Sequence, residues 1–495
     1  MNIRVLVVIC LGFCGILNAQ ELNYLYGYPE YDHINYGTAL IKLDSLSKTN
    51  TKLNQYSVPF EGSTALIKTN SGNIQLFSNG CAVYSNDGSI IENGDSINPG
   101  ETHDIMCPNY GYPVPEGLVF LPVPNSTHLF YLVHLGIAED PKQSYINGPL
   151  YYSLIYSDTL TNEHKILQKN IVLSTGNIEA FDIVRHANGR DWWMVSSNFL
   201  VNQYKVFLIN SSGIKLTKEF TLGNNFHITC NKGTGNIKFS NNGDLLVRWN
   251  PKGGLKVLDF DRCSGTLSIK KEFELKPDGR FGGGGISFTK SDKYVYANSQ
   301  LVLYRINLKD LETAKLDTFI KAPEFWALSL ERSFLGPDGN IYFSQMHSNN
   351  ILPFLYNVES ELVKPIKMDF KNLVLSSLSA RTSPRFINYQ LAKIPGSPCD
   401  SLVNTTDLLV SKTFNLYPNP IHNEQCILEL NSGLSHVQDY EVMITNIYGM
   451  QVYKSSIPAY SYIHRMNLAD LPSGVYFCNI IQNGQVLATQ KLVVQ

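Results

Sequence analysis

The sequence has no excess of either charge: 40 Lys and Arg stand against 42 Asp and Glu in 495 residues. A phosphate-binding surface needs a basic balance, so nucleic acid is excluded as a partner. No Cys-x-x-Cys occurs, which removes the common zinc and thioredoxin-like spacings. Gly-x-Ser-x-Gly and His-Glu-x-x-His are missing as well. The run Gly282-Gly283-Gly284-Gly285 lacks the Lys-Ser/Thr of a phosphate loop and reads as a flexible entry to a strand at Ile286. Beyond the amino terminus no apolar run approaches the roughly 18 residues that cross a bilayer, so no transmembrane span is predicted. Long Ala/Glu/Lys/Leu helical patterns are absent too. Tyrosine and phenylalanine are plentiful, at 28 and 24, and Asn and Ser are frequent at turns. That composition predicts an all-β, exported chain.

Residues 1–19 read as a secretory signal peptide: Arg4 in a short charged region, an apolar run from Val5 to Leu17, and the small residue Ala19 before Gln20. Residues 20–395 then repeat one unit, a strand, a tight polar turn, a second strand, a gap and a third strand. The turns fall at Ser71-Gly72, Asn125-Ser126, Asn188-Gly189, Asn242-Gly243, Ser291-Asp292 and Asp338-Gly339. A spacing of roughly 45–60 residues is that of four-stranded blades, and a lone meander cannot bury both its faces. The expectation is a β-propeller of seven blades, with six or eight as alternatives. Residues 385–394, as opening strands, would join residues 37–44, as a third strand, to close the ring. Residues 396–412, rich in Pro, Gly, Ser and Asn, form the expected linker, an exposed segment open to proteolysis.

Residues 413–495 read as a separate, immunoglobulin-like β-sandwich. Cys426, Leu428 and Leu430 point one way and Ile427 and Glu429 the other, Tyr440, Val442 and Ile444 alternate with Glu441, Met443 and Thr445, and Asn483-Gly484 is a two-residue hairpin turn. Four motifs stand in this tail. They are Leu416-Tyr417-Pro418-Asn419-Pro420, Asn446-Ile447-Tyr448-Gly449, Leu471-Pro472-Ser473-Gly474-Val475-Tyr476 and Lys491-Leu492-Val493-Val494. In order and spacing they resemble the type A C-terminal sorting domain of type IX secretion (Por) cargo. The resemblance implies passage across the outer membrane to the cell surface. It also implies as partners the secretion machinery and its sorting protease, and attachment to surface lipopolysaccharide or release. The body resembles the propeller-like bodies of other such cargo through Gly72-Asn73-Ile74, Glu92-Asn93-Gly94-Asp95, Asn188-Gly189-Arg190-Asp191-Trp192-Trp193 and Phe260-Asp261-Arg262-Cys263-Ser264-Gly265. That likeness implies architecture and no defined activity.

Nine cysteines are present, and Cys81, Cys107, Cys230, Cys263, Cys399, Cys426 and Cys478 lie beyond the signal peptide. In an oxidising compartment they predict disulfides. The expected pairs are Cys81–Cys107 and Cys230–Cys263, with Cys426–Cys478 as a third and Cys399 left over. Connectivity is not fixed by spacing. Asp191, Trp192 and Trp193 are the candidate ligand contacts, weighed against core packing of the indoles with Asp191 bonded into its turn. Asp259, Asp261 and Gly265, and Asp87 with Glu92 and Asp95, carry calcium-type oxygens but not a complete loop, so turn stabilisation is the preferred reading. His128 and His134 lack a third ligand. No catalytic residue, metal or cofactor is predicted. The expected function is a surface binding or adhesion module for a glycan or protein. A propeller hydrolase or lyase acting on glycans, and a structural surface-layer component, are the alternatives.

Overall fold

A computed structural model describes residues 21–27, 37–69, 71–140, 143–198, 201–225, 235–275, 283–300, 302–321, 329–362, 366–399, 414–421, 424–430, 439–459 and 461–495. The expected signal peptide, Cys230, Gly282 and most of the expected linker lie outside these residues. Among the described residues the chain is all-β, apart from one short helix, Glu101–Met106.

Among the described residues, seven small antiparallel sheets succeed one another through the body. The first holds Leu22–Tyr26, Ala39–Leu43 and Lys48–Lys52, and the second Ala65–Lys68, Ile74–Ser78 and Val83–Ser85. The third holds Leu118–Pro122, Leu129–Asp140, Gln143–Asp158 and Glu163–Ser174. The fourth holds Ile178–Arg185, Trp192–Asn198, Gln203–Asn210 and Gly213–Thr221. The fifth holds Asn236–Phe239, Leu245–Asn250, Gly254–Asp261 and Thr266–Glu274. The sixth holds Ile286–Phe288, Tyr294–Asn298, Val302–Asn307 and Asp317–Lys321. The seventh holds Leu330–Leu335, Ile341–Gln345, Phe354–Tyr356 and Lys367–Asp369. A two-stranded pair, Asn349–Ile351 with Val374–Ser379, completes the set.

Hairpin chemistry explains the repeat. Gly189, Gly243 and Gly339 stand at φ of 71°, 78° and 81°, where a side chain is strained and glycine is not. Each follows an Asn or Asp whose side chain can close the turn. The first strand of the third to seventh sheets is almost wholly buried, and the last strand of the fourth and fifth alternates with solvent, as in Gly213–Thr221. Apolar side chains on facing sheets fuse into shared clusters. Val247, Trp249 and Val257 of the fifth sheet pack with Ile286, Val295 and Tyr304 of the sixth.

Residues 385–394 do not form strands. The first sheet opens with Leu22–Tyr26 instead, and Ala39–Leu43 is its middle strand. Residues 380–399 run as an irregular strap across several sheets. Tyr389 Oη donates to the carbonyl of Phe120 at 2.6 Å, Arg262 Nη2 to that of Ala392 at 2.7 Å, and the Ile394 amide to that of Ala187 at 2.9 Å. These side-chain and loop partners take the place of a strand ladder. The strap ends at Cys399, which is bonded to Cys263. That bond corrects the expected Cys230–Cys263 pair and the expectation of a free Cys399. Cys81 is bonded to Cys107. Cys426 and Cys478 remain thiols, both buried in the core of the tail.

The tail has two sheets. One holds Phe414–Tyr417, Gln425–Leu430 and Ile463–Asn467, and the other Tyr440–Asn446, Gln451–Ile457, Gly474–Gln482 and Gln485–Val494. Leu428, Leu430, Val442, Ile444, Ile480 and Leu492 fill the space between them. The opposite face of Gln425–Leu430 meets the body: Tyr417 and Ile427 join a cluster with Val123, Leu129 and Tyr131.

Candidate functional site

Buried charged residues of the body converge, but on one another. Arg385 of the strap donates from Nε to the carbonyl of Glu116 at 2.7 Å, and its Nη1 lies 3.1 Å from Asp182 Oδ1. Nη2 reaches Asn236 Oδ1 at 3.4 Å, and the guanidinium lies over Phe181 at 4.7 Å. One side chain thus ties the third, fourth and fifth sheets together. A second buried pair joins Arg248 Nε to Glu179 Oε2 at 2.7 Å, while Asn250 Nδ2 donates to Oε1 at 2.8 Å. Buried charges so paired hold sheets together rather than face a substrate.

Asp191, Trp192 and Trp193 diverge. Asp191 is bonded into its turn, accepting from Asn188 Nδ2 at 2.8 Å and Arg190 Nε at 3.0 Å. Trp193 packs inward, donates from Nε1 to the Arg262 carbonyl at 2.8 Å, and stacks on His186. Gly265 is needed there, because a Cβ would sit 2.8 Å from the indole ring. Trp192 is buried beneath Arg185, whose guanidinium lies 3.5 Å over the ring, with Tyr389 edge-on at 5.7 Å. It nevertheless borders an open cleft of about 310 Å³, lined also by Pro122, Asn125, Ser126, Arg185 and Arg190. That volume sits at the lower end of ligand-binding clefts. Arg185 Nε and Trp192 Nε1, both buried beside it, have no acceptor among the described residues. The cleft brings two guanidinium groups and a serine turn together over the buried indole, with Arg185 Nη1 and Nη2 donating to the Arg190 and Tyr389 carbonyls and Arg190 paired with Asp191. Sequence reasoning missed Arg185, Arg190 and Ser126, since their proximity is set by how the third and fourth sheets meet.

The remaining candidates are structural. His134 is fully buried between Asn98 Oδ1, 2.7 Å from Nδ1, and Ser153 Oγ, 3.2 Å from Nε2, and burial pushes its pKa down to about 3. Asp261 closes its own turn through the Cys263 amide at 2.9 Å and the Ser264 hydroxyl at 2.6 Å. Asp87 does the same with Ser85 and Ser89, and those hydrogen bonds hold its pKa down at about 2. Asp259 pairs with Lys270 and Asp95 with Lys169. Among the described residues no three His, Cys, Asp or Glu side chains group as a metal site. Gly283 and Gly285 do not form a loose entry. A Cβ on Gly285 would meet the Ser333 amide at 2.6 Å, so these two glycines serve close packing against the seventh sheet.

In the tail the four motifs gather at one end. Asn419 donates from Nδ2 to the Lys491 carbonyl at 2.7 Å and accepts the Val493 amide at 2.9 Å, stitching the Tyr417-Pro418-Asn419-Pro420 turn to the last strand. Ile421 bridges Val494 beside it. Gly474 faces Val494, Val475 faces Val493, and Tyr476 faces Leu492 across the sheet. Tyr476 Oη closes the Leu471-Pro472 turn on the Pro472 carbonyl at 2.7 Å. Asn446 pairs with Tyr476 and opens the turn to Gly449, its Oδ1 accepting the amides of Tyr448 and Met450 at 3.0 Å. Ile447, Tyr448, Met450, Val475 and Phe477 of these turns and strands stay exposed.

Residues 415–495 match the family described as secretion system C-terminal sorting domain. No curated protein matches the chain. Among solved structures, a functionally unknown protein from Desulfotomaculum acetoxidans DSM 771 is 12% identical, over 73% of this chain and 99% of that one, with a TM-score of 0.40. A candidate 6-phosphogluconolactonase from Bacteroides fragilis NCTC 9343 is 12% identical over 72% and 97%, with a TM-score of 0.44. Neither likeness carries an activity to this chain. The disulfides Cys81–Cys107 and Cys263–Cys399 fit an oxidising, extracellular setting. With its motifs folded into one end of a tail that matches the sorting-domain family, the chain is a cargo protein of the type IX secretion system, exported to the cell surface or beyond.

Proposed function

We propose that the exported body is a binding module for a glycan or protein, built as a seven-bladed β-propeller, and that the tail is an immunoglobulin-like sandwich. The sheet order supports the ring. Each sheet contacts the next, and Val374–Ser379 returns to the first sheet, against Leu22–Tyr26 and Lys48–Lys52. Tyr26 Oη and Ser376 Oγ, 3.1 Å apart, fasten that return. Seven sheets with this order favour seven blades over six or eight.

The observation that carries the binding reading is the cleft between the turns at residues 122–126 and 185–192. Its Arg185 and Arg190, the latter paired with Asp191, bring two guanidinium groups to one open surface above the buried Trp192, while Glu179 and Asp182 are locked in ion pairs. A glycan array and a panel of polysaccharide substrates, applied to the secreted chain, test it. Saturable binding without turnover is expected. Turnover that is lost on replacing an acid of the body overturns it in favour of a hydrolase or lyase.

A further inference from the structure

We propose that Ser45 and Thr159 are sites of O-glycosylation, each presented by an exposed Asp-Ser/Thr-Leu turn that an extracytoplasmic glycosyltransferase reads during export. The inference goes beyond the binding reading above and does not rest on it.

The two most exposed large apolar side chains among the described residues are Leu46, at 96%, and Leu160, at 89%. They belong to different sheets. Leu46 lies in the hairpin between Ala39–Leu43 and Lys48–Lys52, and Leu160 in the one between Gln143–Asp158 and Glu163–Ser174. Yet each ends the same kind of tripeptide, Asp44-Ser45-Leu46 and Asp158-Thr159-Leu160. The two are also folded alike. Asp44 Oδ1 accepts the Leu46 amide at 2.7 Å, and Asp158 Oδ1 accepts the Leu160 amide at 2.8 Å. The aspartate closes each turn through the backbone, and the middle residue stands in solvent. Ser45 and Thr159 are exposed, and their hydroxyls bond to nothing among the described residues.

Turn formation explains the aspartate and accommodates the hydroxyl residue. It does not explain the leucine, which buries almost nothing and so adds no hydrophobic stabilisation. One exposed leucine is ordinary. Two of them, in one kind of tripeptide with one geometry, point to an enzyme that grips the turn by its apolar side chain. Asp-Ser or Asp-Thr occurs five times in the chain, at residues 44, 95, 158, 317 and 400, and Leu46, Ile97, Leu160, Phe319 and Leu402 follow. Asp95-Ser96-Ile97 is the built-in comparison. Ile97 is buried, its amide donates to the Cys81 carbonyl at 2.8 Å, and Ser96 is half-buried. The chemistry of the turns favours a saccharide over a phosphate. A phosphate would stand beside the carboxylate of Asp44 or Asp158 and be repelled. A saccharide adds bulk and solubility at a surface turn without charge. In the transfer the Ser or Thr oxygen attacks the anomeric carbon of a glycosyl diphosphate donor. The new C–O bond replaces the anomeric bond to phosphate, the diphosphate leaves with that electron pair, and the hydroxyl proton passes to a base of the transferase.

The test uses the chain recovered from the surface or medium of cells that carry type IX machinery. Peptide mass spectrometry before and after alkaline β-elimination reads the occupancy of each hydroxyl. Saccharide increments are expected on the peptides that hold Ser45 and Thr159, lost on β-elimination, with the Ser96 peptide bare. Ser45→Ala with Thr159→Ala should remove both increments from a chain that is still exported. Leu46→Asn with Leu160→Asn should lower occupancy at least tenfold at both positions and leave the unfolding temperature of the bare chain unchanged, since neither leucine is packed. The inference is overturned if both peptides run at bare mass, if the increment is a phosphate, or if the leucine variants keep full occupancy. A saccharide on Ser96 to the same extent overturns the part assigned to the exposed turn.

Discussion

Arg385 Nη1 lies 3.1 Å from Asp182 Oδ1, 203 residues away in sequence, with both side chains almost wholly removed from water. The pair fixes the strap inside the body and joins three sheets through one guanidinium. Removing one partner strands the other. Arg385→Ala should destabilise the body by about 3–5 kcal/mol, read from urea unfolding. Replacing both, Arg385→Met with Asp182→Leu, should cost less than either single change, because no uncompensated charge remains.

The Cys263–Cys399 bond closes a loop with a sequence separation of 136 residues. Cys399→Ser should lower stability by about 2–5 kcal/mol. Peptide mapping under non-reducing conditions should recover Cys263 joined to Cys399 and Cys81 joined to Cys107. Burial raises the pKa of Cys426 and of Cys478. Both thiols should resist alkylation in the native chain and react once it is unfolded.

His134 is held neutral, with its pKa pushed down by burial from 6.5 to about 3. The unfolded chain binds a proton there that the folded chain refuses, so its contribution is full above pH 6.5 and is lost as pH falls towards 3. Imidazole resonances should show His134 unprotonated at pH 5. In His134→Gln the decline of stability between those limits should be shallower.

Asn419 makes two hydrogen bonds to the last strand. Asn419→Ala should lower the stability of the tail by about 1–3 kcal/mol and reduce the exported fraction, read by thermal unfolding and by culture fractionation. Tyr448→Ser, on an 81% exposed side chain, should leave unfolding unchanged.

Local chemistry was legible in the sequence. The turns Asn188-Gly189, Asn242-Gly243 and Asp338-Gly339 need positive φ and announce it by residue type, so the hairpins around them could be placed. The four tail motifs were legible for the same reason, being turns and strand ends. Pairings set by the arrangement of sheets were not. Cys263 could be matched to Cys230 by nearness in sequence, but the strap brings Cys399 to it. Residues 385–394 mix apolar and polar side chains much as a strand does, yet Arg385 finds its partners inside the body and Tyr389 its partner on the third sheet. The cleft drew Trp192 from the sequence reading. It drew Arg185, Arg190 and Ser126 only from the meeting of two sheets.

The central claim is that residues 415–495 direct export. Cells producing the full chain, or the chain ended after residue 413, can be fractionated into periplasm, surface and medium, with the Cys263–Cys399 bond assayed to verify a folded body. The full chain should reach the surface or medium, and the shortened, folded chain should stay in the periplasm. Equal surface delivery of both would contradict the account.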